Sequence, residues 1–176
     1  MDSIEDRFLN AMQQSYQMVL EHGVRSNKKT KVLHGWAQDE MKRALGSGYV
    51  FTGQTPVSKS EANVAGMYYG KNVDILVSRD GKELSVISIK YVISNYWQNA
   101  VNYFEQQVGE TANLRMKNIV YGNLFCVTNP IPYKKREGNV ERLENCATVM
   151  LSAMSNFEKI ISMHIPLVKW LLVLLT

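Results

Sequence analysis

An aspartate and a lysine lie sixteen residues apart in two short β-rich runs of this chain. Within the run 72–78 Asp74 interrupts the apolar residues of 73–77, and Lys90 lies near the end of the run 83–92. A buried carboxylate is costly unless a charge, a donor or a metal satisfies it. An acidic residue and a lysine on adjacent strands are able to hold a hydrated divalent cation and orient a water for attack on a phosphodiester. Magnesium prefers oxygen ligands and usually more than one carboxylate, so a second acid is required.

The two runs are predicted to form a β-hairpin. The segment 79–82 between them has Asp80-Gly81 at its centre, which is a strong signal for a tight turn. In the second strand, the period-two alternation places Ser88 and Lys90 on the same face. The hairpin therefore brings Asp74 and Lys90 onto neighbouring strands, and a helix is expected to follow at about 95–115.

The chain from about 33 to 128 resembles the PD-(D/E)xK nucleases of the restriction-endonuclease-like superfamily. The core of that family is a helix, a hairpin with the aspartate and the (D/E)xK triplet, a second helix and a further strand. Here the matching elements are predicted at 31–45, 72–92, 95–115 and 119–127. Val73 replaces the proline of the family motif, and Ser88 fills the acidic position of the triplet Ser88-Ile89-Lys90. The resemblance implies an α/β fold with a restriction-endonuclease-like core, in which helices flank a mixed central sheet.

The second acid is sought on the helix after the hairpin, because a subset of restriction enzymes with serine in the triplet takes it from there. Two candidates exist, Glu105 and Glu110. The helix also carries an apolar stripe, which consists of Trp97, Val101, Phe104 and Val108. Glu105 lies about 70° from the centre of this stripe, and Glu110 lies about 150° away, facing outward. We therefore predict Glu105 as the second acid, with Gln98 on the same flank contacting a water or a phosphate.

The resemblance implies a role for each of these residues. Asp74 and Glu105 would ligate Mg²⁺, and Lys90 would assist the attacking water. Ser88 would line the site. Glu40, on the helix before the hairpin, matches an accessory acid of the family that contacts the metal site through water. The three histidines of the chain have no spacing typical of metal ligands, so zinc is not expected.

Two basic clusters are the predicted contacts with DNA phosphates. They consist of Lys28, Lys29 and Lys31, and of Lys134, Lys135 and Arg136. The formal net charge of +4 is compatible with a polyanionic partner, and each neutralised phosphate adds to the salt dependence of binding. Double-stranded DNA is therefore the expected partner. A homodimer is expected as well, because enzymes that cut both strands of a palindrome are two-fold symmetric.

The composition favours a single globular domain. The chain has 176 residues, of which 45% are hydrophobic, so we expect one nuclease domain over 1–176 with its core at about 31–128. Flanking helices are predicted at 3–22 and 139–162, and a last buried strand is predicted at about 168–175.

The chain shows no sign of secretion or membrane insertion. Its N-terminus is acidic without an apolar run, and the apolar run 167–176 is well below the ~20 residues that span a bilayer. The two cysteines, Cys126 and Cys146, lie in apolar surroundings and are expected to be buried free thiols in a reducing compartment, the cytoplasm.

The predicted function is therefore that of a type II restriction endonuclease, which hydrolyses phosphodiester bonds of double-stranded DNA at a specific sequence with Mg²⁺. The segment 109–115, GETANLR, also resembles a segment of such enzymes. One alternative is a structure-specific repair or junction nuclease of the same fold. Another is a catalytically inactive DNA-binding module, which the serine at position 88 favours.

Overall fold

The protein is a mixed α/β structure. The computed structural model describes residues 3–58, 62–135 and 138–145, together with the backbone of 170–175. The helices and strands of these residues are α1 (Ile4–His22), α2 (Lys28–Leu45), β1 (Val50–Gly53), β2 (Ala62–Ala65), β3 (Gly70–Val73), β4 (Ile75–Arg79), β5 (Lys82–Val92), α3 (Tyr96–Arg115), β6 (Val120–Thr128), β7 (Ile131–Lys134), β8 (Val140–Glu144) and β9 (Trp170–Leu175).

A mixed five-stranded sheet is the main β structure, with the strand order β1-β4-β5-β6-β9. Strands β1, β4 and β5 pair antiparallel in succession, whereas β6 and β9 pair parallel. Two small antiparallel sheets are formed by β2 with β3 and by β7 with β8. The predicted α/β class and the mixed sheet are confirmed.

The chain divides into two compact units. The first contains Met1–Ile89 and Glu110–Tyr121, and the second contains Lys90–Gly109 and Gly122–Thr176. The boundary falls within β5, α3 and β6, so each of these elements contributes residues to both units.

In the first unit, α1 and α2 pack against each other through apolar and aromatic side chains. Helix α1 begins with a capping box in which Ser3 and Asp6 satisfy each other's backbone amides. The rings of Phe8 and Trp36 lie 4.8 Å apart, centre to centre. A separate apolar cluster of this unit consists of Val64, Val86, Leu114, Ile119 and Tyr121. Aromatic and aliphatic burial of this kind supplies most of the folding free energy.

In the second unit, the apolar core is rich in aromatic rings. Its buried members are Val92, Tyr96, Phe125, Val127 and Ile131. Phe125 meets Tyr96 and Tyr103 edge to face, with ring centroids 6.1 and 5.7 Å away, a favourable arrangement of aromatic quadrupoles. The neighbouring Cys126 is buried as a free thiol, as predicted, whereas Cys146 lies outside the described residues.

Most predicted elements are confirmed. The helices expected at 3–22 and 95–115 correspond to α1 and α3, and α2 begins at Lys28, slightly before its expected start. The strand expected at 168–175 is β9, which pairs with the Cys126 strand β6.

One predicted helix is wrong at its start. Residues 140–144, expected to open a helix over 139–162, form strand β8, and the rest of that range lies outside the described residues. The physical reason is the neighbouring strand β7. It offers an antiparallel partner, with Lys134 opposite Val140 and Ile131 opposite Glu144.

The predicted buried stripe of α3 is also wrong. Trp97, Val101, Phe104 and Val108 are 54, 66, 41 and 46% exposed. In the second unit the helix instead buries the face with Tyr96, Ala100 and Tyr103. A pattern of polar and apolar residues counts tyrosine as polar, although its ring has a large apolar area. The periodicity therefore predicted the wrong face of α3 as buried.

No helix among the described residues combines the length and the apolar character needed to cross a bilayer.

Candidate active site

Asp74 lies where the chain passes from one sheet to another. It separates β3, which pairs with β2, from β4, which lies between β1 and β5 in the large sheet. Its side chain is 36% exposed, so the carboxylate is held by the fold and still reaches solvent. A carboxylate at such a junction is able to meet a ligand from solution.

Two groups of β5 hold one oxygen of this carboxylate. Oδ2 of Asp74 accepts the backbone N–H of Ile89 at 2.8 Å and the hydroxyl of Ser88 at 3.2 Å. The strand register explains the contact, because Ile75 pairs with Ile87 and thereby places Asp74 opposite Ser88. Ser88 therefore contributes a hydrogen-bond donor at the position where the family motif has a second acid.

The backbone at Asp74 leaves no room for a side chain at Gly53 of β1. A Cβ built on Gly53 would lie 2.2 Å from the carbonyl oxygen of Asp74. Glycine is required here because β1 approaches the β3–β4 junction too closely for any other residue.

His34 of α2 faces the other oxygen of the carboxylate. Its Nε2 lies 3.9 Å from Oδ1 of Asp74, while its Nδ1 lies 3.0 Å from the carbonyl oxygen of Gln54. The ring is buried, and Nε2 has no hydrogen-bond partner among the residues that the structure describes. Burial lowers the pKa of His34 more than the adjacent Asp74 raises it, so the ring is neutral at neutral pH.

A second carboxylate is buried nearby in the same unit. Oε1 of Glu110 lies 2.6 Å from Nζ of Lys71, and Oε2 accepts the hydroxyl of Tyr121 at 3.0 Å. The Tyr121 hydroxyl also lies close to Ser88 and to the Asp74 charge. Burial, and then the Glu110 charge, raise the pKa of Tyr121 well above its ordinary value, so the hydroxyl keeps its proton. Polar side chains therefore extend from Asp74 toward Glu110.

The prediction that Glu110 faces outward is therefore wrong. Glu110 is 6% exposed, because the buried face of α3 differs from the stripe that the sequence suggested. Glu105, the predicted second acid, and Gln98 are both exposed residues of the second unit. Their proposed contacts with metal and phosphate stay predictions.

Lys90 continues β5 directly after the residues that hold Asp74. It is partly buried, and strand alternation places it on the same side as Ser88. Lys90 is the first residue of the second unit.

Glu40 is held by two arginines. Arg7 of α1 donates from Nε and from its terminal nitrogen to the two carboxylate oxygens, at 2.7 and 2.6 Å, and Arg43 also contacts Oε1. The hydrogen bond from Arg7 is the main cause that lowers the pKa of Glu40. This bidentate contact between Arg7 and Glu40 connects α1 with α2. A contact of Glu40 with a metal through water stays a prediction.

The predicted DNA-binding residues differ in how accessible their charges are. The Lys29 ammonium donates to the carbonyl of Val24, and burial lowers the pKa of Lys29. Lys29 therefore stabilises the loop between α1 and α2. Lys28 contacts the ring of His22 at 3.2 Å. Lys31 and Lys134 are partly buried. Lys135 is exposed, and its Nζ lies 3.8 Å from a carboxylate oxygen of Glu141. Arg136 lies outside the described residues.

Asn113 gives a structural role to the segment 109–115. Its fully buried amide oxygen accepts the N–H groups of Tyr68 and Tyr69, at 2.8 and 3.3 Å, and its amide nitrogen donates to the carbonyl of Tyr69 at 3.0 Å. Its own carbonyl accepts the N–H of Met67 at 2.9 Å. Asn113 thereby holds the β2–β3 turn, whose Met67, Tyr68 and Tyr69 side chains are exposed.

Four of these residues were not found from the sequence: His34, Lys71, Asn113 and Tyr121. The only signal that pointed toward them was the GETANLR segment, which contains Asn113 and Glu110. Their partners lie far away along the chain, so no local spacing marks them.

The surroundings of Asp74 fit a divalent cation that has few protein ligands. Oδ1 of Asp74 and Nε2 of His34 are both lone-pair donors, and the carboxylate reaches solvent. Among the described residues, no group of three or more His, Cys, Asp or Glu side chains is placed to hold a metal ion. Magnesium commonly keeps several waters and uses one or two carboxylates plus substrate phosphates, so such a site would be completed by water and substrate.

Comparison with protein-family models, with curated proteins and with solved structures finds no match for this chain. What the fold and the site define is a mixed α/β protein with an anchored, partly exposed carboxylate at a junction of two sheets.

Proposed function

We propose that this protein is a Mg²⁺-dependent endonuclease that hydrolyses phosphodiester bonds of double-stranded DNA, of the type II restriction class. The observation that carries the proposal is the geometry of Asp74. One of its oxygens is held by Ser88 and by the Ile89 amide, and the other points away from these donors at a solvent-accessible junction. Lys90 follows on the same strand, in the order and spacing of the PD-(D/E)xK motif.

Each residue of the site has a separate task in this proposal. A divalent cation, when bound, supplies an activated water and neutralises charge on the phosphate. Asp74 holds the cation through the oxygen that β5 leaves available. Ser88 keeps the carboxylate in one orientation, and Lys90 provides a positive charge for the phosphate or the attacking hydroxide.

The second acid is either Glu105 or Glu110. Glu110 is favoured by its hydrogen bond from Tyr121, whose hydroxyl lies close to Ser88 and to the Asp74 charge. Its charge is balanced by Lys71, which lies 2.6 Å away and is itself partly exposed. Glu105 is favoured by its exposure, which leaves its carboxylate accessible to a ligand.

We propose double-stranded DNA as the substrate and a homodimer as the functional state. The net charge of +4 supports a polyanionic partner. The exposed turn of Met67, Tyr68 and Tyr69 offers aromatic surface held rigid by Asn113, which suits contact with a nucleic acid.

A plasmid-cleavage assay with Mg²⁺ tests the function. Wild-type protein is expected to give discrete bands, and Asp74→Asn and Lys90→Ala are expected to lose cleavage while they keep DNA binding. Asp80→Asn and Lys82→Ala are matched controls, because both residues lie exposed at the hairpin turn and are expected to cleave as wild type. Cleavage that survives in Asp74→Asn and in Lys90→Ala would refute the assignment.

The same assay separates the two candidate acids and the alternative functions. Glu110→Gln and Glu105→Gln remove one charge each, and the variant that loses cleavage while folded identifies the second acid. Nicking of branched DNA without discrete plasmid bands would indicate a junction nuclease. DNA binding without any Mg²⁺-dependent cleavage would indicate an inactive module, which the hydroxyl of Ser88 in the acidic position supports.

A further inference from the structure

The hydrogen bonding of His34 determines which of its nitrogens carries a proton. A carbonyl oxygen only accepts hydrogen bonds, so Nδ1, 3.0 Å from the Gln54 carbonyl, must be the donor. In the neutral ring with this tautomer Nε2 carries a lone pair, and the atom is buried without a hydrogen-bond partner among the described residues. A histidine that donates one ring N–H to a backbone carbonyl and presents the other nitrogen is typical of metal ligands.

That lone pair faces an oxygen of Asp74. Nε2 and Oδ1 are 3.9 Å apart, too far for a hydrogen bond, and both atoms are acceptors. His34 is 6% exposed, so the imidazole side of this contact is shielded from bulk water, whereas the Asp74 side chain is 36% exposed. A buried imidazole lone pair that faces a carboxylate oxygen is unfavourable unless a positive ion or a donor lies between the two atoms. The separation is less than twice the ~2.1 Å of a metal–nitrogen or metal–oxygen bond, so one cation is able to contact both atoms.

A second unsatisfied side chain lies one turn further along α2. Gln38 is 5% exposed, and its amide nitrogen has no hydrogen-bond partner among the described residues. This nitrogen lies 3.1 Å from the position of a Cβ on Gly53, the residue that contacts the Asp74 backbone. Residues at i and i+4 share one helix face, so α2 directs two unsatisfied polar groups toward the same junction. The amide nitrogen is a donor, so it is able to bond the oxygen of a water at this junction.

We infer that His34 is a nitrogen ligand of the cation that Asp74 holds, so that the site binds a transition-metal ion such as Mn²⁺ more tightly than Mg²⁺. The inference rests on the proposed function for the presence of a cation at Asp74. Magnesium favours oxygen ligands, whereas an imidazole nitrogen favours first-row transition metals. His34 thus sets the metal preference of the site, and Asp74 supplies the charge.

Manganese binding to the full chain, measured by electron paramagnetic resonance without DNA, tests this inference. The wild-type protein is expected to bind Mn²⁺, and His34→Ala and Asp74→Asn are each expected to weaken binding by at least about tenfold. His22→Ala is the matched control, since His22 is an exposed histidine at the end of α1, and it is expected to bind Mn²⁺ as wild type. Circular dichroism identifies the variants that fold.

A second measurement does not depend on any variant. Electron spin-echo spectra of Mn²⁺ bound to the wild-type protein are expected to show coupling to a directly bound ¹⁴N nucleus. Wild-type protein that binds no Mn²⁺, bound Mn²⁺ without nitrogen coupling, or unchanged affinity in folded His34→Ala would each overturn the inference.

The outcomes also separate this inference from the nuclease proposal. If Mn²⁺ binds through His34 and no DNA is cleaved with either metal, the metal site stands and the nuclease proposal fails. If cleavage requires Asp74 while the folded His34→Ala protein binds Mn²⁺ as wild type, the nuclease proposal stands and the role of His34 is refuted.

Discussion

At the residue scale, the candidate site depends on donors and close contacts around one carboxylate. Asp74 is oriented by a serine hydroxyl and a backbone amide of β5, and its backbone lies against Gly53 of β1. A β-hairpin aligns these groups through its register, so a shift of one residue would separate all of them. Small changes in the strands beside Asp74 should therefore affect the site as much as changes in the carboxylate.

Gly53→Ala tests this dependence. The added methyl group would overlap the Asp74 carbonyl oxygen at 2.2 Å, so β1 must move away from the junction. We expect a loss of about 1–3 kcal/mol in the free energy of unfolding, as for other overpacked sites, measured by urea denaturation. Gly109→Ala is the control, because a Cβ there meets nothing within 4 Å inside α3. It should stabilise the protein by about 0.5–1 kcal/mol. Wild-type stability in Gly53→Ala would contradict the close contact.

The sequence predicted some of these residues and missed others for a physical reason. Asp74 and Lys90 were found because a hairpin is a local structure, whose turn and alternation are visible in adjacent residues. Spacing along the chain gives no signal for His34 as a metal ligand. Its partner Asp74 lies forty residues later, and only the packing of α2 brings the two side chains to 3.9 Å.

At the element scale, α3 shows how a correct helix can be given the wrong face. The boundaries of α3 agree with the prediction, but its apolar stripe is exposed and its buried positions include Glu110 and Asn113. Both polar residues are satisfied by long-range partners, Lys71 and the β2–β3 turn. Periodicity ranks residues by hydrophobicity and cannot detect a buried polar group whose partner comes from a distant strand.

The contact between α1 and α2 gives a pH-dependent prediction for Glu40. The guanidinium of Arg7 holds the pKa of Glu40 below its ordinary value of 4.5. A carboxyl with a depressed pKa stabilises the fold above the unfolded-state pKa, and this stabilisation is lost as the pH falls through the folded-state pKa. Glu40→Gln is therefore expected to be less stable than wild type at pH 7, and the difference is expected to shrink on acidification. Urea unfolding of both proteins at pH 7 and at successively lower pH measures the stability difference and its decrease on acidification.

Asp39→Asn is the control for this effect. Asp39 is the neighbouring exposed residue of α2, paired with Lys42 at 3.5 Å, and exposed pairs contribute little. The free energy of unfolding of Asp39→Asn should match that of wild type throughout the pH range. If Glu40→Gln were as stable as wild type at pH 7, the ion pair of Glu40 with Arg7 would not stabilise the contact of α1 with α2.

At the scale of the whole molecule, the order of elements was more predictable than the way they are grouped. The central succession of hairpin, helix and strand was predicted and is confirmed. The division into two compact units, with boundaries inside β5, α3 and β6, has no signal in composition or linkers, because it depends on contacts between distant segments. The short strands β7 and β8 were missed for the same reason, since neither pairs with the large sheet and each depends on the other for its ladder.

The distribution of positive charge is also a property of the whole chain, and the structure separates its lysines by accessibility. The Lys29 ammonium is used inside the fold, by the Val24 carbonyl. Lys28 is exposed at the start of α2, and Lys135 is exposed after β7. If DNA is the partner, exposed lysines of this kind should neutralise phosphates, whereas Lys29 should act on stability.

The salt dependence of DNA binding tests this assignment, with Asp74→Asn as the background to prevent cleavage. Replacing Lys28 and Lys135 together by alanine is expected to weaken binding to all sequences about equally, because phosphate contacts carry no sequence information. The slope of log K against log salt should fall by about 0.9 for each phosphate that the variant no longer neutralises. Lys42→Ala with Lys82→Ala removes the same charge near the end of α2 and at the start of β5 and should leave the slope unchanged. Equal slopes in both double variants would mean that net charge alone, and no specific lysine, attracts the DNA.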